Sequence, residues 1–275
     1  MTRNYPHAVP DVAVQIVNYN TAAHLATCLE TVDRDLAGGE LDARVLVVDN
    51  ASDDDLSALE ERWAGRVEFH RSPQNVGFGA GHNLLASQHD ARALLLLNPD
   101  TELIEPRTVA RLLEALSGEV AVVGPQLLTP ERTVHPWDHG ELRGFGARLA
   151  AAGGSSHHRE RHERAEVAWV SAASSLIARE HFDAVGGFDP GFFLYKEEED
   201  LFLRIRRRGG RVVYEPSVRV LHVGSVTGVR RAHLDASVRR FRHKHVRSRV
   251  RRAVMPAAYE GWVRVSGRMR RMVGR

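Results

Sequence analysis

Short apolar runs alternate with helical stretches over the first half of this 275-residue chain, and this alternation constrains the fold most strongly. Residues 22–36 have helical spacing of apolar side chains with Thr21 as a candidate N-cap, and a helix over residues 56–63 could be capped by Ser52 or Asp53. Short buried strands separated by helices predict an α/β fold with a mostly parallel, doubly wound central sheet and helices on both faces. The predicted strands are residues 12–17, 45–48, 67–69, 93–97 and 120–123.

Polar side chains follow the ends of these predicted strands. Because the carboxyl ends of parallel strands meet at one edge of an open sheet, we expect these side chains to lie close together. Open α/β sheets bind their ligands at that edge, so the sequence predicts a ligand site there. The residues concerned are Asn18, Asp49, Asn50, Asn75 and Asp100.

The tetrapeptide Asn98-Pro99-Asp100-Thr101 comes directly after the Leu-rich run. It would present the Asp100 carboxylate at the carboxyl end of a buried strand. Mg²⁺ or Mn²⁺ can bind there through one or two carboxylates together with substrate phosphates. Asn, Pro and Asp also form ordinary turns, so this segment alone supports a turn as well as a metal site.

An acidic run occupies residues 197–200 at the start of a predicted helix that is rich in arginine toward Gly209. Acids at a helix N-terminus and cations at its C-terminus complement the helix dipole, so capping explains the run. A carboxylate close to a metal site could instead remove a proton from a hydroxyl group. The residues by themselves leave both interpretations open.

Residues 138–166 are predicted to form a long loop or insertion, because Gly, His, Arg and Glu dominate them. His157, His158 and His162 lie near acids and could suggest zinc. No Cys accompanies them and the surrounding charges alternate, so a solvated loop is favoured.

Strand character returns after this predicted loop. Residues 167–177 are predicted as one continuing strand, and two more strands are predicted at residues 212–214 and 218–221. The last of these strands ends at His222, which places another polar side chain at a strand end.

Charge is distributed unevenly along the chain. Residues 228–275 contain 15 Arg or Lys and two acids, a local net charge of +13, and since the whole chain is +3, residues 1–227 carry −10. A single cysteine, Cys28, excludes an internal disulfide framework and fits a reducing compartment. No secretory leader or apolar run of about 20 residues is visible, so the chain is expected to be a cytoplasmic protein.

Seven short motifs, taken in order, resemble glycosyltransferase family 2, specifically its bacterial rhamnosyltransferase-like branch. Each motif is moderately specific, and their order over roughly residues 11–225 makes the resemblance specific. The motifs are Val-Asn-Tyr-Asn at 17–20, Val-Val-Asp-Asn-Ala-Ser-Asp at 47–53, Asn-Val-Gly-Phe-Gly-Ala-Gly-His-Asn at 75–83, Leu-Asn-Pro-Asp-Thr at 97–101, Gly-Gly-Phe-Asp at 186–189, Phe-Phe-Leu-Tyr at 192–195 before the acidic run, and Leu-His at 221–222.

The resemblance implies a GT-A (Rossmann-like) fold, predicted for residues 1–227, and the charge and apolar spacing of residues 228–275 predict a basic, helical C-terminal extension. It implies inverting transfer from a nucleotide-sugar donor, with dTDP-rhamnose favoured and a UDP-hexose next, and a requirement for Mg²⁺ or Mn²⁺. The implied acceptor is a cell-envelope or surface glycan, which can be lipid-linked. A non-catalytic protein that binds a nucleotide sugar or a membrane surface and keeps the same fold is the alternative.

Residue roles also follow from the resemblance. Asp100 and His222 would bind the metal, and Glu198 is favoured as the base over Glu197, with Asp200 as a helix-start residue. Asn98 stands where many relatives have Asp, which leaves one strong carboxylate in that motif. The nucleotide-sugar pocket would be formed by Asn18, Asp49, Asn50, Asp53, Asn75, Gly79, Asn83 and Asn98.

The basic extension is predicted to form an amphipathic helix over about residues 230–252, with weaker apolar spacing beyond it. Basic helices with aromatic anchors bind anionic membrane surfaces, and this interpretation suits a lipid-linked acceptor at the inner face of the cell membrane. A basic patch attracts any polyanion, so nucleic-acid binding is the less favoured alternative. A plain solvated tail is the third interpretation.

Overall fold

The computed structural model of the chain describes residues 9–224 and 231–273, with side chains as far as residue 266. The predicted boundary between residues 227 and 228 lies outside the described residues, as does the predicted helix start at residue 230. The division into a body and an extension therefore stays a prediction.

The described residues contain the following helices and strands. The strands are β1 (Val12–Asn18), β2 (Ala43–Asp49), β3 (Val67–Arg71), β4 (Ala93–Leu97), β5 (Thr101–Leu103), β6 (Val120–Leu128), β7 (His139–Gly140), β8 (Ala165–Glu166), β9 (Trp169–Val170), β10 (Ser174–Ala178) and β11 (Arg211–His222). The helices are α1 (Ala22–Leu36), α2 (Ser57–Arg62), α3 (Phe78–Gln88), α4 (Thr108–Ala115), α5 (Phe145–Ala152), α6 (Arg179–Ala184), α7 (Glu197–Arg207), α8 (Arg231–His245) and α9 (Arg249–Val273).

One large sheet organises the fold, with the strand order β3-β2-β1-β4-β10-β6-β11-β5 and with β8 added to β11. β1 is parallel to both β2 and β4, so the polar residues that follow these three strands emerge at one edge, as predicted. β10 runs antiparallel between β4 and β6, a direction that the sequence pattern did not indicate. The predicted α/β fold is confirmed, and β5 and β10 are strands of the large sheet that run antiparallel to their neighbours.

Helices cover both faces of the sheet and form two apolar layers. Leu25 of α1 and Leu112 of α4 belong to the layer on one face, whereas Leu85 of α3 and Leu201 of α7 belong to the layer on the other. β4 lies between them and is buried along its whole length. Burial on both faces explains why this strand is continuously apolar instead of alternating.

Two strand predictions are wrong in detail. Residues 167–177 form two strands, because the chain turns at Ser171 and β9 pairs with β7 while β10 joins the large sheet. Conversely, residues 212–221 form one strand, whose pairing with β6 shifts register between Glu215 and Arg219. Pro216 lies in this interruption, and a proline has no N–H to donate to the ladder.

The predicted helix caps are also corrected. The Thr21 hydroxyl donates to Asn18 Oδ1 (2.7 Å) and makes no cap bond to α1. α2 is capped by neither Ser52 nor Asp53. Asp55 accepts the Ser57 N–H instead (2.9 Å). A run of acids and hydroxyls offers several equivalent caps, and the loop geometry selects among them.

The segment predicted as a solvated loop, residues 138–166, contains β7, α5 and β8. Glu141 is buried and accepts two hydrogen bonds from Arg161, each 2.6 Å long. Pairing of opposite charges allows polar residues to be buried, which composition alone does not reveal. Residues 159–163 are mostly exposed, so the predicted solvated character holds there.

The C-terminal part forms two helices instead of one continuous basic helix, because the helix is interrupted at residues 246–248. Phe241 and Val246 are buried, and a side chain at Gly146 of α5 would collide with Trp262 of α9. These helices therefore pack on the body. Across the described residues, we find no helix with the length and apolar content needed to span a membrane.

Candidate active site

A cleft of about 950 Å³ opens at the carboxyl edge of the sheet, where the sequence predicted a ligand site. The ends of β1, β2 and β4 form one wall, the start of α7 forms another, and α8 covers the cleft. The wall residues that matter below are Asn50, Asn75, Asp100, Glu198, His222 and Arg242.

Two asparagines form the wall at the ends of β2 and β3. Asn50 Nδ2 donates to Asn75 Oδ1 (2.9 Å), and Asn50 Oδ1 accepts the Val76 N–H (2.9 Å). Gly77 follows with φ +88°, and a Cβ there would lie 2.4 Å from the Phe193 carbonyl oxygen. The glycine therefore allows this wall to contact the segment that leads into α7.

Three further predicted pocket residues brace this wall from behind, outside the cleft lining among the described residues. Asn18 is fully buried and donates to Asp49 Oδ1 and Ser52 Oγ, both at 3.2 Å. Asp53 is exposed, and its N–H donates to Asn20 Oδ1 (2.7 Å). These contacts join the loops after β1 and β2 into one unit.

Gly79 and Asn83, also predicted for the pocket, lie on α3 and hold the neighbouring turn. Asn83 Nδ2 donates to the Phe188 carbonyl and its Oδ1 accepts the Phe188 N–H, both at 2.9 Å. A side chain at Gly79 would lie 2.9 Å from Phe188. Both residues fix the Gly186-Gly187-Phe188 turn against α3, which explains why these motifs occur together.

The predicted metal ligands are brought together in the cleft. Asp100 Oδ1 lies 3.5 Å from His222 Nε2, and Asn98 Nδ2 lies 3.4 Å from the same nitrogen. The second oxygen of Asp100 accepts the Gly224 N–H (3.0 Å). β5 pairs with β11 and aligns Thr101 with His222, so the sheet register itself creates this juxtaposition.

The chemistry of this pair fits a hard divalent cation. Burial alone would raise the pKa of Asp100, but the His222 hydrogen bond and charge and the Gly224 amide lower it below its ordinary value. The group is thus a carboxylate at neutral pH. Carboxylate oxygen and imidazole nitrogen 3.5 Å apart can both bind one ion at about 2.1 Å.

His135 was missed by sequence reasoning. It lines the cleft and its ring lies 5.2 Å from the ring of His222. No motif marks it, because it follows the irregular end of β6 and reaches the site only through the fold. A polar residue after a buried strand was the one available signal.

The acidic run begins α7 at the opposite wall of the cleft. Tyr195 and Lys196, just before it, both have positive φ (69° and 68°), a conformation that non-glycine residues adopt infrequently. This turn directs Glu198 toward the cleft and buries Glu197 in the protein, where it does not line the cleft. One oxygen of each carboxylate has no hydrogen-bond partner among the described residues.

The environment shifts the pKa values of these two acids upward. Burial and the neighbouring charge of Glu199 raise the pKa of Glu198 to about 7. Burial and the charge of Glu198 raise the pKa of Glu197 well above its ordinary value. A carboxylate that titrates near neutral pH and faces a cleft can accept a proton, as a general base must.

Asp200 lies in the first turn of α7, as expected for a helix-start residue, and it also forms ion pairs with other elements. Its buried carboxylate contacts Arg204 Nε (2.8 Å), Lys244 Nζ (2.7 Å) and His245 Nε2 (2.7 Å). The last two residues belong to α8. Asp200 therefore joins the C-terminal helices to the wall that carries Glu198.

Another group of candidate ligands lies beside the cleft, at Asp138, His139 and His158. Asp138 Oδ1 is 2.8 Å from His139 Nδ1, and its Oδ2 accepts the Tyr214 hydroxyl (2.8 Å). His158 Nδ1 donates to the His139 carbonyl oxygen (3.0 Å). These hydrogen bonds account for the cluster without a metal.

Comparison with known proteins identifies the class. The family model of glycosyl transferase family 2 matches residues 13–198, which include Asn50, Asn75, Asp100 and the first acids of α7. The chain belongs to this family, and the protein is a glycosyltransferase.

Curated relatives make the assignment more specific. The chain is 28% identical to N-acetylglucosaminyl-diphospho-decaprenol L-rhamnosyltransferase of Mycobacterium tuberculosis over 76% of its length and 75% of that protein. It is 30% identical to the O-antigen biosynthesis protein RfbC of Myxococcus xanthus over 65% of its length, but only 14% of that protein. A 56-residue segment is 38% identical to rhamnosyltransferase WbbL of Escherichia coli. The predicted rhamnosyltransferase-like branch is confirmed.

Solved structures support the GT-A fold. A mannosyltransferase from Pyrobaculum calidifontis, in complex with GDP-Man and Mn²⁺, superposes with a TM-score of 0.62 at 19% identity, over 88% of this chain and 66% of that one. GalNAc-T7 with UDP, GalNAc and Mn²⁺ gives 0.61 at 19% identity, over 79% of this chain and 44% of that one. The predicted GT-A fold is confirmed.

Proposed function

We propose that the protein transfers rhamnose, with inversion, from dTDP-rhamnose to a cell-envelope glycan whose first sugar is linked through a diphosphate to a lipid. The observation that carries this proposal is Glu198, a carboxylate with a pKa of about 7 in the same cleft as Asp100 and His222. The name of the mycobacterial relative supports both the donor sugar and the lipid-linked acceptor.

In a single displacement, an acceptor hydroxyl oxygen attacks the anomeric carbon of the donor sugar. The new carbon–oxygen bond forms as the bond to the nucleoside diphosphate breaks, and the configuration at that carbon inverts. Glu198 takes the hydroxyl proton, and the diphosphate leaves with the bonding electrons. No covalent intermediate with the protein is needed.

Glu198 suits this role better than Glu197 for a geometric reason. A base must reach the hydroxyl directly or through one water, and Glu198 lines the cleft whereas Glu197 does not. Glu197 is buried beside it, and burial together with the charge of Glu198 raises the pKa of Glu197 itself.

Asp100 and His222 would bind Mg²⁺ or Mn²⁺, with Asn98 as a neighbouring hydrogen-bond donor. When bound, such an ion acts as a Lewis acid that offsets the negative charge growing on the leaving diphosphate. The titles of the two solved relatives name Mn²⁺, which supports this requirement. Asn50 and Asn75 would contact the nucleotide, and the wall that they form is here called the donor wall. The residues that would hold this wall in place are Asn18, Asp49, Asp53, Gly79 and Asn83.

The C-terminal helices would hold the enzyme on an anionic membrane surface at the cytoplasmic face. α9 exposes Val250 (71%) and Val254 (54%) among several arginines, and Phe145 of the adjacent α5 is 60% exposed. Apolar side chains mixed with cations are typical of helices that lie at lipid headgroups. Nucleic acid is not favoured, because much of α8 packs on the body.

A donor panel tests the proposal. Purified enzyme is given dTDP-rhamnose, UDP-glucose or GDP-mannose, with Mn²⁺ or with a chelator, and a short-chain lipid diphosphate N-acetylglucosamine as acceptor. Transfer only from dTDP-rhamnose and only with metal is the expected result, with Glu198→Gln inactive as a control. Transfer from another donor would contradict the donor assignment, and donor binding without transfer across the panel would contradict the reaction.

A further inference from the structure

The face of α8 that covers the cleft carries a defined pattern of side chains. Leu234, Val238 and Arg242 are spaced by four residues, so they lie on one side of the helix, and all three line the cleft. This face is apolar at its first two positions and cationic at the third. It lies beyond residue 198, where the match to the family model ends.

α8 is held firmly over the cleft. Asp189 contacts Arg240 Nη2 (2.9 Å) and Lys244 Nζ (2.6 Å), and the Ser237 hydroxyl donates to the Leu194 carbonyl (2.8 Å). These bonds add to those of Asp200 described above. The cleft-facing side chains of α8 are therefore held in a fixed position at the edge of the cleft.

Arg242 is incompletely paired within that wall. Its Nη2 donates to Ser155 Oγ at 3.3 Å, while its buried Nε has no partner among the described residues. In the part of the chain that the structure describes, no carboxylate forms an ion pair with Arg242. A buried guanidinium N–H without an acceptor is costly, and a phosphate oxygen would satisfy it well.

The neighbours of Arg242 place it on the Glu198 side of the cleft. Ser155 contacts Arg242, and the next residue, Ser156, donates to Glu199 and accepts the Trp169 indole N–H (3.1 Å). Glu199 is also held by Lys196 Nζ (2.6 Å), so it does not neutralise Arg242. The donor wall and the metal ligands come from other elements, at the ends of the strands.

We propose that Arg242 binds a phosphate group of the acceptor, beside the base, and so selects acceptors that carry a diphosphate linkage. This inference rests on the proposed function for the identity of the acceptor. Leu234 and Val238 continue the same face and would contact apolar parts of the acceptor. The donor diphosphate is the other source of the same chemistry, and the experiment separates the two.

The test measures binding by calorimetry, which does not depend on turnover. Wild type, Arg242→Gln, Arg242→Lys and the control Arg239→Gln are titrated with the lipid diphosphate acceptor, with the matching neutral alkyl glycoside, and with dTDP. Arg239 is exposed on the same helix, so its substitution makes the same change in charge away from the cleft. Thermal unfolding confirms that each variant is folded.

Arg242→Gln should weaken binding of the diphosphate acceptor about 10-fold or more, since hydrogen bonds to charged groups are the strong ones. Arg242→Lys should weaken binding of the diphosphate acceptor less than Arg242→Gln does. For both Arg242 variants, the affinities for the neutral glycoside and for dTDP should change less than about 2-fold. Arg239→Gln should change the affinity for each of the three ligands less than about 2-fold. If Arg242→Gln lost equal affinity for the charged and the neutral acceptor, or lost affinity only for dTDP, the inference would be overturned. If the proposed reaction were wrong, transfer would be absent while this Arg242-dependent binding persisted.

Discussion

The two walls of the cleft differ in whether their buried polar groups have hydrogen-bond partners. On the proposed donor wall and directly behind it, the side chains of Asn50, Asn75 and Asn18 hydrogen-bond to neighbouring side chains and backbone. On the wall formed by α7 and α8, Glu198 and Arg242 keep buried polar atoms without partners among the described residues. The polar groups of the first wall have hydrogen-bond partners within the protein. The second wall has polar atoms whose partners a bound substrate would supply.

This difference explains why the pKa shifts occur where they do. A carboxylate that accepts several hydrogen bonds keeps a low pKa, whereas burial without partners raises it. Asp100, on the strand side, has two hydrogen-bond partners and a lowered pKa, and Glu198 has a raised one. The first is suited to hold a cation, and the second to accept a proton.

The largest expected effect comes from removing the base. Glu198→Gln keeps the size of the side chain but cannot accept a proton, so turnover should fall about 10²–10⁴-fold while donor affinity stays nearly unchanged. Steady-state transfer assays and donor titration measure this. Glu197→Gln is the matched control, and an inactive Glu197→Gln beside an active Glu198→Gln would move the base one residue earlier.

The next effect concerns the metal ligands. Asp100→Ala removes the carboxylate of its motif, and losing an ion that stabilises the leaving group should lower turnover at least about 100-fold. Titration of Mn²⁺ in the presence of donor should show that the metal dependence is lost. Near-normal turnover with an unchanged response to Mn²⁺ would exclude Asp100 from the site.

The contrast between the walls also predicts opposite effects on stability. Asn50→Ala leaves the partly buried Val76 N–H without its acceptor and should lower the free energy of unfolding by about 1–3 kcal/mol. Glu198→Gln should raise the free energy of unfolding at pH 8. Because the folded pKa of Glu198 lies above its unfolded value, the contribution of this carboxyl to stability falls as pH rises from about 4.5 to 7. The amide of Gln does not titrate, so the variant has no such loss.

Denaturant unfolding at pH 5 and pH 8 measures both variants. Asn50→Ala should be destabilised similarly at both pH values, whereas the gain from Glu198→Gln should be larger at pH 8. A loss of stability for Glu198→Gln at pH 8 would show that its carboxylate is well solvated or paired.

The smallest effect is expected at the membrane. Arg249→Gln with Arg251→Gln removes two exposed charges from α9 and should weaken binding to anionic vesicles about 5-fold or more, since each basic residue near such a surface contributes about 1 kcal/mol. Arg34→Gln with Arg208→Gln makes the same charge change elsewhere on the surface. Equal co-sedimentation of the two double variants would leave α9 without a membrane role.

Point substitutions test the membrane role of α9 without the loss of packing that deletion of the C-terminal helices would cause. Removing α8 would expose the surroundings of Phe241 and leave Asp200 without two of its partners. The sequence did not reveal this packing, because a run of arginine and histidine resembles a solvated tail. Only the fold shows that Lys244 and His245 face a buried carboxylate.

Apart from the three-residue strand β5, the strands of residues 12–123 were predictable because the buried strands are short and apolar and the helices between them carry their own periodicity. Asp100 and His222 were identified through motifs, and their proximity follows from the pairing of β5 with β11. Arg242 and His135 were not predictable as site residues, since neither has a local pattern. They reach the cleft through tertiary contacts that join distant segments.

The assignment of Glu198 as the base is tested most directly by the pH dependence of kcat/KM for transfer, measured in wild type and in Glu199→Gln. Because the base must be deprotonated, activity should rise with pH through an apparent pKa of about 7. Glu199→Gln removes a neighbouring charge that raises this pKa, so its curve should rise at lower pH. A wild-type curve that is flat from pH 5 to 8, or that Glu199→Gln leaves in place, would contradict the assignment.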